Sequence, residues 1–244
     1  MNGAALVDVE GPVHIYRTDE LEVVALQGLD LRLDEREMIA IVGRSGSGKT
    51  TLMNVLAGVE APSAGRARVA GQDLARMAAG EREAYRRDVV GYVWQRSQVN
   101  LWPELTAVEN VQVPMLGRRT PAAEREARAA DLLHALALER RRGRRPAQLT
   151  GAEQQRLAIA VALANGPRLL LADEPTAELD GAGARSLLAD MAAVVRHAGA
   201  GVVMVTHDQQ VERLALVAGG LLAGWLGRRT ATRVDVREQL RQMG

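Results

Sequence analysis

The chain has 244 residues, which fits one or two domains, and nearly half of them are hydrophobic, enough to build a sizeable core. Its formal net charge of +1 gives no overall attraction to nucleic acid or anionic membranes, and the absence of cysteine excludes disulfides and Cys-ligated metals. The N-terminus shows no signal-peptide pattern, and the longest apolar run, residues 214–226, is too short and too interrupted by glycine to span a bilayer. We therefore expect a soluble, cytoplasmic protein.

The N-terminal part, residues 5–33, contains short runs with strand character. Residues 23–26 form one such run, and residues 29–33 alternate between apolar and polar as a half-exposed strand should. Tyr16, one of only three tyrosines, lies in the first run of this part. It is either a core or edge-strand aromatic or a platform for stacking a ligand ring, and the sequence favours neither interpretation.

A glycine-rich loop, Gly43-Arg44-Ser45-Gly46-Ser47-Gly48-Lys49-Thr50-Thr51, is the most informative motif. The apolar run Met38–Val42 before it predicts a buried strand, and residues 52–57 after it fit a helix. This is the context of a phosphate-binding loop, whose glycines let backbone N–H groups surround a polyphosphate. Lys49 supplies a mobile positive charge, and the Thr50 hydroxyl can hold Mg²⁺. The alternative interpretation is a flexible glycine-serine turn.

Strand and helix patterns continue through the middle of the chain. Residues 74–88 are typical of a polar helix, and residues 89–94 indicate a strand that leads into Gln95. A capping box that begins at Thr106 predicts the start of a helix there, and residues 121–138 predict a second helix.

Five arginines crowd the segment between Glu139 and Pro146. A nucleic-acid patch is one interpretation, but no aromatic residues interleave with the arginines, which favours a solvated loop between two helices. The next segment, Leu149-Thr150-Gly151-Ala152-Glu153-Gln154-Gln155-Arg156, leads into a helix that we expect to extend through Ala164.

Residues 168–174 are apolar at first and end in two carboxylates, Asp173 and Glu174. A buried strand that ends this way is costly unless the carboxylates bind something. Beside a phosphate loop, the first carboxylate suits Mg²⁺ bound through water and the second suits a general base for an attacking water. A solvated strand end is the alternative.

The C-terminal part contains one more predicted buried strand, residues 201–207, which ends in His207. If this strand is parallel to the other two, His207 reaches the ligand edge of the same sheet. Residues 214–226 fit a core hairpin of two short strands, and we expect the polar tail from Arg228 onward to be mobile.

In this order the motifs resemble the nucleotide-binding subunit of an ABC transporter, and the resemblance covers residues 14–225. It implies an α/β fold with a RecA-like P-loop NTPase core, a parallel sheet, an N-terminal antiparallel β portion and an inserted helical subdomain. The implied core comprises residues 1–95 and 161–244, and the implied helical subdomain comprises residues 96–160.

The resemblance also implies roles for individual residues, with ATP and Mg²⁺ as ligands. Tyr16 would stack on adenine, Gly43 to Thr51 would form the Walker A loop, and Thr150, Gly151 and Asp180 would complete the nucleotide site. The implied catalytic residues are Glu174, His207 and Gln95. The implied metal site comprises Thr50, Gln95 and Asp173.

The implied partners are integral membrane permease subunits and a second ATP-binding subunit, with no nucleic acid. The protein would then be cytoplasmic and peripheral on the inner face of the cell membrane. Residues 92–95 and 105–111 look like the branch that serves lipoprotein release and macrolide export.

The signature segment departs from the family sequence Leu-Ser-Gly-Gly-Gln, because Thr150 replaces the serine, Ala152 the second glycine and Glu153 the glutamine. In the family this segment grips the γ-phosphate bound by the opposite subunit. A carboxylate there would offset the helix dipole that attracts the anion, which predicts a weakened contact. Thr150 and Glu153 also form a capping box, so a well-capped helix with tolerated changes is an equal alternative.

Two other functions stay open from the sequence. One is a nucleotide-gated regulatory or coupling subunit with weak hydrolysis, which the altered signature favours and the intact Glu174 and His207 oppose. The other is a soluble ABC ATPase without a membrane partner. Proteins of that kind usually carry tandem or extended ATPase units, whereas this chain has one compact unit.

Overall fold

An antiparallel sheet forms the N-terminal part of the computed structural model, which describes residues 5–17, 22–27, 29–42, 46–206 and 231–235. The strand order is β2-β1-β5-β6, and β3 also pairs with β1. Strand β3 has the burial pattern that its alternating sequence predicts, with its two leucines buried and its arginine exposed. The strands of this sheet are β1 (Val7–Arg17), β2 (Glu22–Gln27), β3 (Leu31–Leu33), β5 (Ala64–Val69) and β6 (Gln72–Asp73).

A parallel sheet with the strand order β10-β4-β9-β8-β7 forms the centre of the described structure. Every residue of β8 and β9 is buried, which explains their unbroken apolar sequences. The carboxyl ends of parallel strands meet at one edge, so the residues that follow β4, β7 and β8 are brought together there. These strands are β4 (Met38–Val42), β7 (Val90–Val93), β8 (Leu169–Asp173), β9 (Gly201–Thr206) and β10 (Ala231–Asp235).

The helices are α1 (Lys49–Leu56), α2 (Ala79–Asp88), α3 (Ala107–Leu116), α4 (Ala122–Ala135), α5 (Gly151–Leu163) and α6 (Gly181–Ala198). Helices α3, α4 and α5 lie between β7 and β8 in the sequence. The predicted capping box at Thr106 is confirmed, because the backbone N–H of Thr106 donates to Glu109 Oε2 at 2.7 Å and the N–H of Glu109 donates to Thr106 Oγ1 at 3.4 Å.

Two buried clusters cover the two faces of the parallel sheet, as the alternation along β9 shows. Val202 and Met204 belong to the cluster that includes α3, α4, α5 and α6. Val203 and Val205 belong to the cluster that includes the antiparallel sheet, α1 and α2. The central sheet therefore packs against both sets of elements. A change in the packing of either cluster displaces the carboxyl edge of the sheet.

The expectation of a mobile tail from Arg228 onward is wrong for residues 231–235, which form β10. This strand pairs in parallel with β4, from Ala231 opposite Met38 to Asp235 opposite Val42. Among the described strands β10 is the outermost on its side of the sheet, and a strand in that position needs only one ladder of backbone hydrogen bonds, so it tolerates a sequence without a continuous apolar pattern. The predicted hairpin at residues 214–226 lies outside the described residues. Within the described ranges, no helix combines the length and apolarity needed to cross a bilayer.

Gly91, in β7, allows α5 to approach the sheet closely. A Cβ at this position would lie 3.0 Å from the carbonyl carbon of Ala162 and closer still to its oxygen, and it would also meet Pro167 Cγ at 3.0 Å. Ala162 lies in the last turn of α5, so Gly91 fixes the distance between this helix and the sheet.

We expect Gly91→Ala to destabilise the protein by about 1–3 kcal/mol, because the added methyl group must displace backbone rather than a flexible side chain. Gly80, inside α2, is the matched control, since a Cβ there meets nothing within 4 Å and alanine favours helix. Urea unfolding followed by circular dichroism measures both variants. Equal midpoints for Gly91→Ala and the wild type would show that the close packing imposes no constraint.

Candidate functional site

The glycine-rich loop has the geometry that its sequence predicts, as far as it lies within the described residues. Gly46 and Gly48 have φ angles of 79° and 82°, a region that favours glycine. A Cβ at Gly48 would also lie 3.4 Å from the carbonyl carbon of Ala25 and overlap its oxygen. Gly48 then caps the N-terminus of α1. The loop can therefore turn sharply from β4 into α1 while it passes beside β2. Gly43, Arg44 and Ser45 lie outside the described residues.

A cavity of about 560 Å³ opens beside this loop at the carboxyl edge of the parallel sheet. It brings together four separate parts of the sequence: the hairpin strand β2, the loop with the start of α1, the residue Gln95 after β7, and the end of β8. The lining residues are Val23, Val24, Ala25, Gly46, Gly48, Lys49, Thr50, Thr51, Gln95, Asp173 and Glu174.

The start of α1 supplies groups that suit a phosphate. Lys49, the only lysine in the sequence, is the first residue of the helix and is 8% exposed. The first N–H groups of any helix lack partners within the helix, and its N-terminus carries positive potential. The buried Ser47 Oγ has no hydrogen-bond partner among the described residues. Together these donors form a cradle for an anion.

Two carboxylates face this positive end from the carboxyl end of β8. Asp173 is 8% exposed, and burial raises its pKa, as does the neighbouring charge of Glu174, whereas Lys49 acts in the opposite direction. The charged form of Asp173 is therefore only partly compensated by the protein. A divalent cation at this position would supply the missing positive charge.

The backbone of Glu174 is held in an uncommon conformation. Its φ is 46°, a value that is rare for a residue with a side chain, and its N–H donates to the carbonyl of Val205 in β9 at 2.9 Å. Gln95 Nε2 donates to Glu174 Oε2 at 3.3 Å. This bond connects the segment after β7 with the end of β8, so two of the three predicted catalytic residues meet at the cavity.

Tyr16 lies beside α1 and does not line the cavity. Its hydroxyl donates to Glu60 at 2.8 Å, and Asn54 Nδ2 donates to the same carboxylate at 3.1 Å. Burial raises the pKa of Tyr16, the Glu60 carboxylate raises it further, and the Thr51 hydroxyl lowers it. The residue is 39% exposed, which excludes the core-aromatic interpretation and leaves part of the ring available to a ligand.

Besides Tyr16 and Ser47, three more predicted site residues lie outside the cavity lining: Thr150, Gly151 and Asp180. Thr150 caps α5 and Gly151 is its first residue. Asp180 accepts a hydrogen bond of 2.7 Å from the N–H of Gly183 and so caps α6. His207 lies outside the described residues. The structure therefore brings Lys49, Thr50, Gln95, Asp173 and Glu174 together within one chain but does not add Thr150, Gly151 or Asp180 to them.

One wall of the cavity is formed by Val23, Val24 and Ala25, for which the sequence predicts no site role. Val23 and Val24 are about half exposed, which is unusual for large aliphatic residues in a strand next to a core. Their sequence pattern indicated only a strand, and no spacing in the sequence places β2 against the loop.

Comparison with known proteins gives consistent results. A family described as ABC transporter matches residues 26–177. The macrolide export ATP-binding/permease protein MacB of Sodalis glossinidius is 43% identical over 86% of this chain and 32% of its own length. The lipoprotein-releasing system ATP-binding protein LolD of Chromohalobacter salexigens is 41% identical over 85% of this chain and 86% of its own length.

A solved structure gives the same result for the fold. The dimeric ATP-binding cassette MJ0796, in a post-hydrolysis state bound to ADP and Pi, superposes with a TM-score of 0.76 at 35% identity and covers 86% of this chain and 91% of its own. The predicted P-loop NTPase fold is thus confirmed. This chain spans about a third of the length of its MacB relatives and most of the length of LolD. The chain belongs to the ABC transporter family, as an ATP-binding cassette.

Proposed function

We propose that this chain binds and hydrolyses ATP as the nucleotide-binding component of an ABC transporter and drives a membrane partner. The observation that carries the proposal is the cavity that places Lys49 and the N-terminus of α1 opposite Asp173 and Glu174. Family membership and the names of the MacB and LolD relatives support it.

The Walker A loop, Gly43 to Thr51, would hold the phosphates of ATP. Its glycines expose backbone N–H groups, and Lys49 adds a point charge for the β- and γ-phosphates. The exposed ring of Tyr16 would stack on adenine, and Val23 and Val24 would provide an apolar wall for the rest of the nucleoside. Each part of the ligand thus meets a surface of matching chemistry.

Mg²⁺ fits the same cavity through Thr50, Gln95 and Asp173. These residues offer hydroxyl, amide and carboxylate oxygens, which are the ligands that Mg²⁺ prefers together with phosphate and water. When bound, the ion neutralises negative charge on the phosphates. The partly compensated carboxylate of Asp173 is suited to this role because a cation removes the electrostatic cost of its ionisation.

Glu174 would orient or deprotonate the attacking water. Gln95 donates to one of its carboxylate oxygens and so holds the carboxylate at the cavity, where it can accept a proton from water. His207 would contact the γ-phosphate, as the family pattern implies. Catalysis would then rest on positioning and on stabilisation of charge rather than on a covalent intermediate.

A second ATP-binding subunit would complete the site. Thr150, Gly151 and Asp180 lie on helix ends outside the cavity lining of their own chain, which suits contact with a nucleotide bound by another copy. The cassette MJ0796 is described as dimeric. The signature segment would be part of a helical subdomain of residues 96–160, and the dimer would lie on the inner face of the membrane.

The membrane partner would dock beside the segment that follows Gln95. Trp102 and Val99 are 59% and 66% exposed. Buried Asn110 fixes the backbone of Trp102: its Oδ1 accepts from the Trp102 N–H at 2.7 Å, and its Nδ2 donates to the Trp102 carbonyl at 3.1 Å. These two hydrogen bonds fix the backbone from which the exposed Trp102 side chain extends. A large exposed side chain on a fixed backbone suits a contact with another protein.

Neither alternative function gains support from a specific observation. The regulatory interpretation rested on the altered signature, Ala152 and Glu153, and of these two the Glu153 carboxylate is engaged by Arg141 and by the cap of α5. The interpretation as a soluble ATPase without a membrane partner has no counterpart in MacB or LolD, whose names describe export and lipoprotein release.

We predict that Glu174→Gln preserves ATP binding but lowers turnover by about 10²- to 10⁴-fold, because the water loses its general base. Glu124→Gln, which neutralises an exposed glutamate on α4, is the control and should hydrolyse ATP normally. Phosphate release and ATP titration measure the two effects. An unchanged rate in Glu174→Gln would contradict its catalytic role, and the proposed mechanism with it.

We predict that Trp102→Ala reduces assembly with the membrane partner and leaves ATP affinity unchanged, because the side chain is exposed and lies outside the cavity. Val59→Ala, which truncates an exposed aliphatic residue elsewhere on the surface, should assemble as the wild type does. The measurement is the amount of permease that co-purifies with the tagged chain from native membranes. Equal recovery by wild type and Trp102→Ala would place the docking surface elsewhere.

A further inference from the structure

We infer that Arg141 is a positioning residue for the signature segment, because it holds the second oxygen of Glu153, whose first oxygen belongs to the capping box of α5, and neutralises its charge beside the phosphate-facing end of that helix. The inference rests on the proposed function, in which this helix end faces the γ-phosphate held by a second copy. It replaces the expectation of a weakened contact with a compensated one.

Both oxygens of the Glu153 carboxylate are engaged. Oε1 accepts from Arg141 Nε at 2.8 Å, and Oε2 accepts from the backbone N–H of Thr150 at 2.9 Å. The N–H of Glu153 in turn donates to Thr150 Oγ1 at 3.3 Å. The side chain is therefore directed back toward the N-cap and the basic turn.

Glu153 needs a charge partner at neutral pH. The backbone N–H of Thr150 and then the Arg141 guanidinium hold the pKa of this carboxyl below its ordinary value, so the group stays ionised. A bare negative charge in the first turn would compete with a phosphate for the positive potential of the helix N-terminus. The guanidinium cancels that charge at the point where it arises.

The turn that carries Arg141 is ordered by its own backbone hydrogen bonds, and the segment that follows it is bonded to α5. The N–H of Arg141 donates to the carbonyl of Leu138 and the N–H of Arg144 donates to that of Arg141, each at 2.8 Å. Gln154, on α5, donates from Nε2 to the carbonyl of Pro146 at 3.0 Å. Arg141 is thus presented to the helix by a defined turn rather than by a free loop.

Stability alone does not account for this ion pair. The side chains of Arg141 and Glu153 are 46% and 22% exposed, and pairs at such positions contribute little to folding. The neighbouring Arg142 makes a similar exposed pair with Glu126 of α4. The two ion pairs therefore differ mainly in location, because only the Arg141–Glu153 pair lies at the signature segment.

The test is a double-mutant cycle on a Glu174→Gln parent, in which ATP-dependent dimers are expected to persist. Sedimentation during Mg-ATP titration gives the ATP concentration at half-maximal dimerisation. Arg141→Ala should raise this concentration by about two- to fivefold, the effect of one charge near a helix N-terminus, and the shift should shrink as salt is added. Arg142→Ala should leave it unchanged.

Two further variants separate charge from structure. Arg141→Lys should dimerise better than Arg141→Ala and almost as well as the parent, because lysine keeps the positive charge although it lacks the planar guanidinium group. In a Glu153→Gln background, Arg141→Ala should have no effect, because there is no charge left to neutralise. ATP affinity of the monomer, measured by calorimetry, should be the same in all variants.

The outcomes distinguish this inference from the proposed function. A parent that dimerises with Mg-ATP, together with an Arg141→Ala variant that dimerises equally well, overturns the role of Arg141 alone. An equal loss in Arg141→Ala and Arg142→Ala also overturns it, because the effect would then be general to the basic turn. A parent that stays monomeric with Mg-ATP overturns both, since no second copy would face the helix.

Discussion

The burial of opposite charges at one edge of the parallel sheet is the constraint on which the rest of the site depends. Lys49 and Asp173 are each 8% exposed, and ionised groups at such depth are costly without partners. Lys49 stabilises the charged form of Asp173 only in part, because burial and the nearby Glu174 still raise the pKa of Asp173. An anion near Lys49 and a cation near Asp173 would complete the balance, which is the charge pattern of a metal-bound nucleotide.

The architecture also explains why the predicted site is divided. The central sheet carries one buried cluster on each face, and the loop with α1 belongs to one of them, whereas α5 belongs to the other. Gly91 lets the end of α5 lie close to β7, while its start, with Thr150 and Gly151, lies outside the cavity lining. A chain built this way presents a cavity and a separate helix end, and under the proposed function a second copy would bring the two together.

Features of the fold and site that are set by residues close together in the sequence could be predicted. Features that depend on contacts between separate segments could not. The glycines before Lys49, the carboxylates after a buried strand and the capping boxes at Thr106 and Thr150 are all set by residues a few positions apart. The wall formed by Val23 and Val24, the pairing of β10 with β4 and the contact of Arg141 with Glu153 depend on distant segments. For Glu153 the local pattern left two interpretations open; the capping box is present in the structure, and the effect on the contact with a second copy stays a prediction.

The central claim is that the cavity binds the phosphates of ATP at Lys49. Because Lys49 is the only lysine in the sequence, an amine-reactive reagent reports on this one side chain, with the N-terminal amine as an internal reference. Mass spectrometry would follow the rate of acylation at both amines with and without Mg-ATP. The account predicts that Mg-ATP slows acylation of Lys49 and leaves the N-terminal amine unaffected. An equal rate at Lys49 with and without saturating Mg-ATP would contradict it.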